Sequence, residues 1–341
     1  LFAVEFIRMA ASGQTLDADA LPDSLQAMVG SRIDRLEPAL RSLVLDASVL
    51  GMSFTLKGME ALRTEIADEL QPLMEQLVAA DLFELDHDPR SPERGQYRFV
   101  QSVIKEVAHG RLSRRDRIDR HLVVARYLEG LREPSLAAVI ASHYLDAHRA
   151  AGEDEKTSIA DAAVASLDEA MTRAAALHSH GQVLSIFEQA QPLLSGSDLL
   201  RFMDRAARSA GIQDEARYLD MARQALDMAT EWGHEEEVLR AATLMARALN
   251  DVHRNREARD ELQGLVAKIS DISTSTQAYA VAELARALML DGEPDDALDL
   301  SDRAMEAGER LELTDIVSDA FTTSGTAAVV SGRALFGRAL L

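Results

Sequence analysis

The chain has 341 residues, 47% apolar and only 4% aromatic, with a formal charge of −21 and no cysteine. That length allows two or more domains, and an Ala-, Leu- and Glu-rich balance with few aromatics favours helices over sandwiches or barrels. Lack of cysteine excludes disulfides, thiolate metal sites and cysteine nucleophiles, and the acidity disfavours nucleic acid and anionic membranes as partners.

Residues 1–11 read as a helix tail, and Gly13 to Ala20 as a polar linker. Pro22 suits the first turn of a helix running to about Leu36, and Pro38 opens the next, stopped by Gly51. Leu56–Leu62 is a short helix, and Pro72 sits near the start of another reaching Ala80. Leu82–Leu85 and Tyr97–Phe99 read as short strands, joined through His87 to Gly95, where Pro89, Pro92 and Gly95 deny helix. Apolar residues at 99, 103, 104, 107, 108 and 112 then mark one helix face.

Past Glu133-Pro134 long amphipathic helices follow without strand signals. Gly152, Gly181, Gly196, Gly211, Gly233, His253–Asn255, Gly292 and Gly332 punctuate them. Small residues recur after several of these, at Ala216, Ala258, Ala297 and Gly337, about every 40 positions, which marks stacked helix pairs resembling tetratricopeptide repeats. Ala207, Ala246, Ala285 and Ala327 are the companion small positions. One degenerate pair at 157–194 is expected, then three from 197 to 311, and a fifth opening near Thr314.

Chemistry-bearing motifs are scarce. No phosphate-cradling Gly-rich loop ending in Lys-Ser or Lys-Thr occurs. His234-Glu235-Glu236-Glu237-Val238 has Val where a zinc-protease motif needs its second His. His178 and His180 do not share a helical face, and no nucleophile elbow is visible. No catalytic residue and no metal ligand is expected, and no enzyme activity for this stretch. Arg111, Arg114, Arg115, Arg117 and Arg120 make a local basic cluster, read mainly as a helix start paired with nearby acids.

Phe99 to Arg117, with His121 beyond, resembles the end of the winged-helix domain in STAND-class signalling ATPases, where a strand ending in Phe leads into an FxHxLIxEVAYxxL helix. Leu1–Met9 resembles the helix that closes the nucleotide-binding module. Leu21 to Leu36 looks like the linker and first winged-helix helix, Ala47–Phe54 the AAVLGxxF segment, and Ala141-Ser142-His143-Tyr144 the AHHY helix before the repeats. The wording FVQ rather than FRH is most like bacterial fusions of a class III nucleotidyl cyclase, a STAND ATPase and helical repeats.

The resemblance implies a mainly α chain: the tail of a nucleotide-binding module and linker (1–20), a winged-helix domain with one small β-hairpin (21–133), and a TPR-like α-α superhelix (134–341). It implies a regulatory and protein-interaction arm, with ATP or ADP bound by the parent protein; a cytoplasmic location is the default expectation, because no signal peptide and no apolar run of membrane-spanning length is seen. Its partners would be the upstream nucleotide-binding module and a protein or peptide on the repeats, with no membrane or nucleic acid. A STAND transcription regulator with DNA-binding helices beyond Leu341, and a plain repeat scaffold, are the competing readings. Gln101 takes the place of a His that faces the ADP phosphates in that family; its amide can donate to phosphate but carries no charge. The alternative is a helix N-terminal residue satisfying backbone groups. Because the chain starts at Leu1 and ends inside an apolar-periodic segment, it is read as a piece of a longer polypeptide. Concentration-dependent self-association through 325–341 is expected, as an artefact of the cut end and not as a biological dimer.

Overall fold

The computed structural model describes residues 23–86, 95–212, 214–333 and 337. The expected helix tail, the first linker and the loop residues 87–94 lie outside them, as does most of the final apolar segment. The chain divides into two compact units, Leu1–Glu169 and Ala170–Leu341.

The first unit opens with α1 (Asp23–Asp34) and α2 (Pro38–Leu50). Pro38 sits in the first turn of α2, where its missing N–H costs nothing, and Leu40, Leu43, Val44 and Ala47 bury one face. After β1 (Ser53–Phe54), the Thr55 hydroxyl caps α3 (Leu56–Leu62) by accepting from the Gly58 N–H at 3.1 Å. Helix α4 (Ala67–Ala79) begins five residues before Pro72, earlier than expected. A 3₁₀ turn at Thr64–Ile66 leads directly into it, and Pro72 is carried inside the helix.

Strands β2 (Phe83–Leu85) and β3 (Tyr97–Phe99) pair antiparallel, with Phe83 opposite Phe99 and Leu85 opposite Tyr97. The hairpin is therefore present. β1, which the sequence reading did not foresee, adds a third strand in the order β1-β3-β2. Two residues are too few to show a period, so β1 is recognised only through its partner. The sheet clusters aromatic rings: Phe83 meets Phe99 edge-on at 4.8 Å and Phe54 at 5.2 Å, above the fully buried Leu70, Met74 and Leu77.

Helix α5 (Ser102–Gly110) buries Val103, Ile104 and Ala108 on the expected face. Ser113 caps α6 (Arg114–Gly130), its Oγ accepting from the Asp116 N–H at 3.1 Å. Helices α7 (Ala137–Ala150) and α8 (Glu153–Ala176) follow, and α8 runs on into the second unit.

The second unit continues with α9 (His180–Ala190), then α10 (Gly196–Gly211) and α11 (Glu215–Trp232), α12 (Glu235–Asp251) and α13 (Asn255–Val266), α14 (Ser275–Asp291) and α15 (Pro294–Arg310), and α16 (Thr314–Val330). The first helices start at 196, 235, 275 and 314, a step of 39 or 40 residues. Ala207, Ala246, Ala285 and Ala327 are at most 1% exposed, and Ala258 and Ala297 are fully buried, as close helix crossings demand. Ala216 breaks the pattern by facing solvent. Its place is taken by Tyr218, whose ring lies so close to Gly211 that a Cβ there would meet Cδ1 at 2.5 Å. Gly337 is buried, and a Cβ on it would meet the Gly325 carbonyl at 2.6 Å.

The turns repeat as well. Arg254 N–H bonds the Leu249 carbonyl, Glu293 the Leu288 carbonyl and Arg333 the Ala328 carbonyl, in each case at 2.8–2.9 Å. These are six-residue helix closures with a left-handed residue at the stop. Gly292 supplies that residue at φ 91°, whereas His253 adopts φ 62° in the equivalent turn.

Candidate functional site

Within the second unit, the first helices of successive pairs pack on one another, while the second helices pack on their own and the next first helix. The first helices thus form one continuous inner layer. Two open grooves lie along it. One, of about 220 Å³, is walled by α10, α12 and the start of α14; the other, of about 360 Å³, by α12, α14 and α16. Arg247 and Tyr279 line both.

The repeat step places like residues in line. Arg208, Arg247 and Arg286 stand 39 residues apart in succession, and so do Arg201, Arg240 and Tyr279. Every one of them lines a groove. Hydrogen bonds tie the layer together across pairs. Arg240 donates to Thr276 Oγ1 at 3.1 Å, Arg247 to Glu283 Oε2 at 3.0 Å and Tyr279 to Asp315 Oδ2 at 2.5 Å, each bridging 36 residues of sequence.

Glu283 is the buried anion of this layer, at 4% exposure. It accepts from Arg247 and from Asn250 Nδ2 at 2.8 Å, and pairs with Arg286 at 3.6 Å. Burial opposes the Arg247 charge, but Glu283 and Asp204 outweigh it and hold the guanidinium above its ordinary range. Burial, then the bond to Asp315, pushes the Tyr279 phenol up to about 12. Arg205 donates to Thr172 Oγ1 at 2.7 Å and lies over the buried Phe202 ring at 5.1 Å. Arg201 pairs with Asp198 at 3.0 Å, and Arg208 with Asp204. The Nε of Arg240 is buried with no partner.

The residues singled out from the sequence lie elsewhere. Gln101 is exposed at the N-cap of α5, at φ −142° and ψ 140°, and its side chain caps no backbone group. The basic cluster is committed to its own unit. Arg115 pairs with Asp119 and Glu155, Arg111 with Asp34, and Arg120 with Asp46 and Asp116. Arg114 donates to the Ala150 carbonyl and Arg117 to that of His109. His178 and His180 stand at the α8–α9 junction with ring centroids 6.2 Å apart. Among the described residues no cluster of His, Cys, Asp or Glu is built to hold a metal ion, and no helix is long and apolar enough to cross a membrane.

No family profile and no curated protein matches the chain. Solved structures with helical repeats do. A Podospora anserina kinesin light chain with nearly identical TPR-like repeats aligns at 18% identity over 51% of this chain and 90% of its own, with a TM-score of 0.39. A Rap protein complexed with Competence and Sporulation Factor aligns at 14% over 87% and 81%, with a TM-score of 0.41. A STAND protein with a tetratricopeptide repeat sensor from Pyrococcus horikoshii aligns at 10% over 96% and 54%, with a TM-score of 0.38. These are likenesses in helical architecture; the chemistry of the grooves rests on their own residues.

Proposed function

We propose that this chain is the regulatory and protein-interaction arm of a larger signalling ATPase, and that the α10–α16 face receives an extended peptide or protein segment. One observation carries this reading: two grooves sharing Arg247 and Tyr279 follow one another along the inner layer of four repeats. First helices about 9–10 Å apart make such a face about 30 Å long, room for about nine extended residues.

In this proposal residues 21–133 are a winged-helix clamp on an upstream nucleotide-binding module, to which residues 1–20 belong, and 134–341 are the sensing repeats. The small sheet packed among helices supports the clamp, and so does the pairing of the basic cluster with its own acids, which does not suit a DNA-facing surface. In the same proposal Gln101, exposed at a helix start, would donate its amide to an ADP phosphate held by that module. Output through an attached class III cyclase belongs to the same proposal, on the FVQ wording of the motif. Occupancy of the repeats would switch the parent only through different affinity for its two states.

The test begins with the chain itself. Random peptides of about ten residues, long enough to span the face, are selected on it, and binders are measured by fluorescence anisotropy. Ser275 is exposed at the groove wall, so Ser275→Trp fills the groove without entering the core. Selected peptides should bind this variant about tenfold more weakly or worse. Peptides that bind both proteins equally would remove the groove from the function.

A further inference from the structure

The second groove is the roomier of the two, about 360 Å³ against about 220 Å³. Ala282 stands 39 residues after Thr243 of the first groove and is the smaller residue at that register. With Met289 and Ile316 it gives the second groove an apolar lining. The two cations there are already neutralised. Arg247 is bonded to Glu283 at 3.0 Å, and Arg286 pairs with Asp251 at 2.9 Å and with Glu283 at 3.6 Å. The α16 wall differs. Asp319 lines the groove, is exposed, and its carboxylate has no partner among the described residues. Asp315, one turn earlier on the same helix face, bonds the neutral Tyr279 hydroxyl and has no cation partner among the described residues.

We infer that the occupant of the second groove is a basic peptide segment, with a Lys or Arg side chain facing Asp315 and Asp319 and a large apolar side chain set against Ala282, Met289 and Ile316; the inference rests on the face being a peptide site. The uncompensated charge of this groove is negative and confined to one wall. A cation placed there gains from two carboxylates without displacing an ion pair already made. Like charges at i, i+4 also repel one another, and a bound cation relieves that repulsion. Met289 is unbranched and adapts to apolar side chains of differing shape.

The rest of the chain agrees. A formal charge of −21 draws a basic segment in from a distance and holds an acidic one off. The first groove gives no cationic counterweight of matching size, because Arg208 pairs with Asp204, Arg201 with Asp198 and Arg247 with Glu283. Arg240, which has only the Thr276 hydroxyl, lines the first groove and not the second. A phosphate backbone would meet bare carboxylates at α16, so nucleic acid does not suit this wall.

The experiment sequences the selected ten-residue peptides and measures them against the Asp315→Asn/Asp319→Asn double variant. Asn at 315 can still accept from Tyr279, and circular dichroism with a thermal midpoint confirms folding. Lys or Arg beside a large apolar residue should be enriched. Affinity should fall about tenfold or more in the double variant and weaken with added salt. Replacing the peptide's basic residue by Gln should weaken binding to the wild type and leave binding to the double variant nearly unchanged, a coupling that a merely structural role would not produce. Asp319→Asn alone, at an exposed position without a partner, carries the same cycle should the double variant unfold. Peptides that lose binding in Ser275→Trp, yet carry no basic residue or bind the double variant as well as the wild type, overturn the basic class and leave the groove reading standing. Peptides indifferent to Ser275→Trp overturn both.

Discussion

His121 Nδ1 lies 3.0 Å from His143 Nδ1 inside the first unit, where both rings are at most 6% exposed. The other His121 nitrogen lies 3.3 Å from His109 Nε2, so three helices meet at a chain of imidazoles. A neutral imidazole has one donor and one acceptor, so three neutral rings satisfy this chain in a single direction. Burial, then the neighbouring His143 and His109 and the cations Arg117 and Lys105, pushes His121 down to about 3. His109 and His143 are lowered too, chiefly by burial, with Asp146 opposing. The unfolded chain therefore binds more protons below about pH 6.5, and stability rises with pH there. The contribution is complete above about pH 6.5 and is lost as pH falls towards 3. For His121 alone the loss by pH 5 is about 2 kcal/mol. Urea unfolding at pH 7 and pH 5, compared between the wild type and His121→Gln, isolates this group. An equal pH response in the two proteins would show that the triad does not bear on acid stability.

A buried charge cluster lies nearby, beside Arg120 of the helix that carries His121. The Asp46 side chain is 2% exposed; Arg63 Nε approaches its Oδ2 at 2.5 Å and Arg120 its Oδ1. Arg63 also donates to Ser42, and Arg120 also pairs with Asp116. Removing the shared carboxylate leaves two guanidinium groups facing each other in a poorly hydrated pocket. Asp46→Ala should cost about 3 kcal/mol, and Asp116→Ala, at an exposed pair, less than about 1 kcal/mol. Similar midpoints for the two variants would rule out Asp46 as the hub.

Gly211 and Tyr218 form the tightest helix-to-helix approach at the α10–α11 turn, with no room for a Cβ. Gly211→Ala should destabilise the protein by about 1–3 kcal/mol through overpacking. Tyr218→Val on the same background should recover part of it, because the ring is the obstacle. A double-mutant cycle with no coupling between the two positions would contradict the geometry.

Much of this architecture is legible in the residues. Ala246 and Ala285 stand 39 apart because each sits where two helices cross, and that spacing shows without coordinates. Ala216 misleads because the same small residue is also an ordinary exposed helix former; only the packing of Tyr218 on Gly211 distinguishes the two cases. The groove arginines share a spacing that the sequence alone contains. Arg208, Arg247 and Arg286 share one register, but in a chain with 36 basic residues a single position attracts no notice until the helices are aligned in space. His109, His121 and His143 lie on separate helices, so periodicity within one helix could not join them.

The repeat register has its own test. Ala258→Leu and Ala297→Leu place a large side chain at fully buried crossings and should each cost about 1–3 kcal/mol. Ala216→Leu, on an exposed face, should change stability by less than about 0.5 kcal/mol. Thermal or urea midpoints that fell equally in all three would place the crossings elsewhere.

Glu283 links the stability of the second unit to the charge of its grooves. It is buried, and it neutralises Arg247 and Arg286 while accepting from Asn250. Glu283→Gln keeps the shape and an acceptor for Asn250 but removes the negative charge. Two effects of opposite sign should follow. Stability should fall by about 1–3 kcal/mol, because Arg247 loses a charge-assisted bond at a buried site and Arg286 loses an ion-pair partner. Any acidic peptide among those selected on the groove should bind severalfold more tightly, because the groove gains a full unit of positive potential beside Arg247. A merely structural Glu283 would give the first effect without the second. Anisotropy titrations at a temperature where both proteins are folded separate the two, and an unchanged or weaker affinity in the variant would show that Arg247 and Arg286 do not act on the ligand.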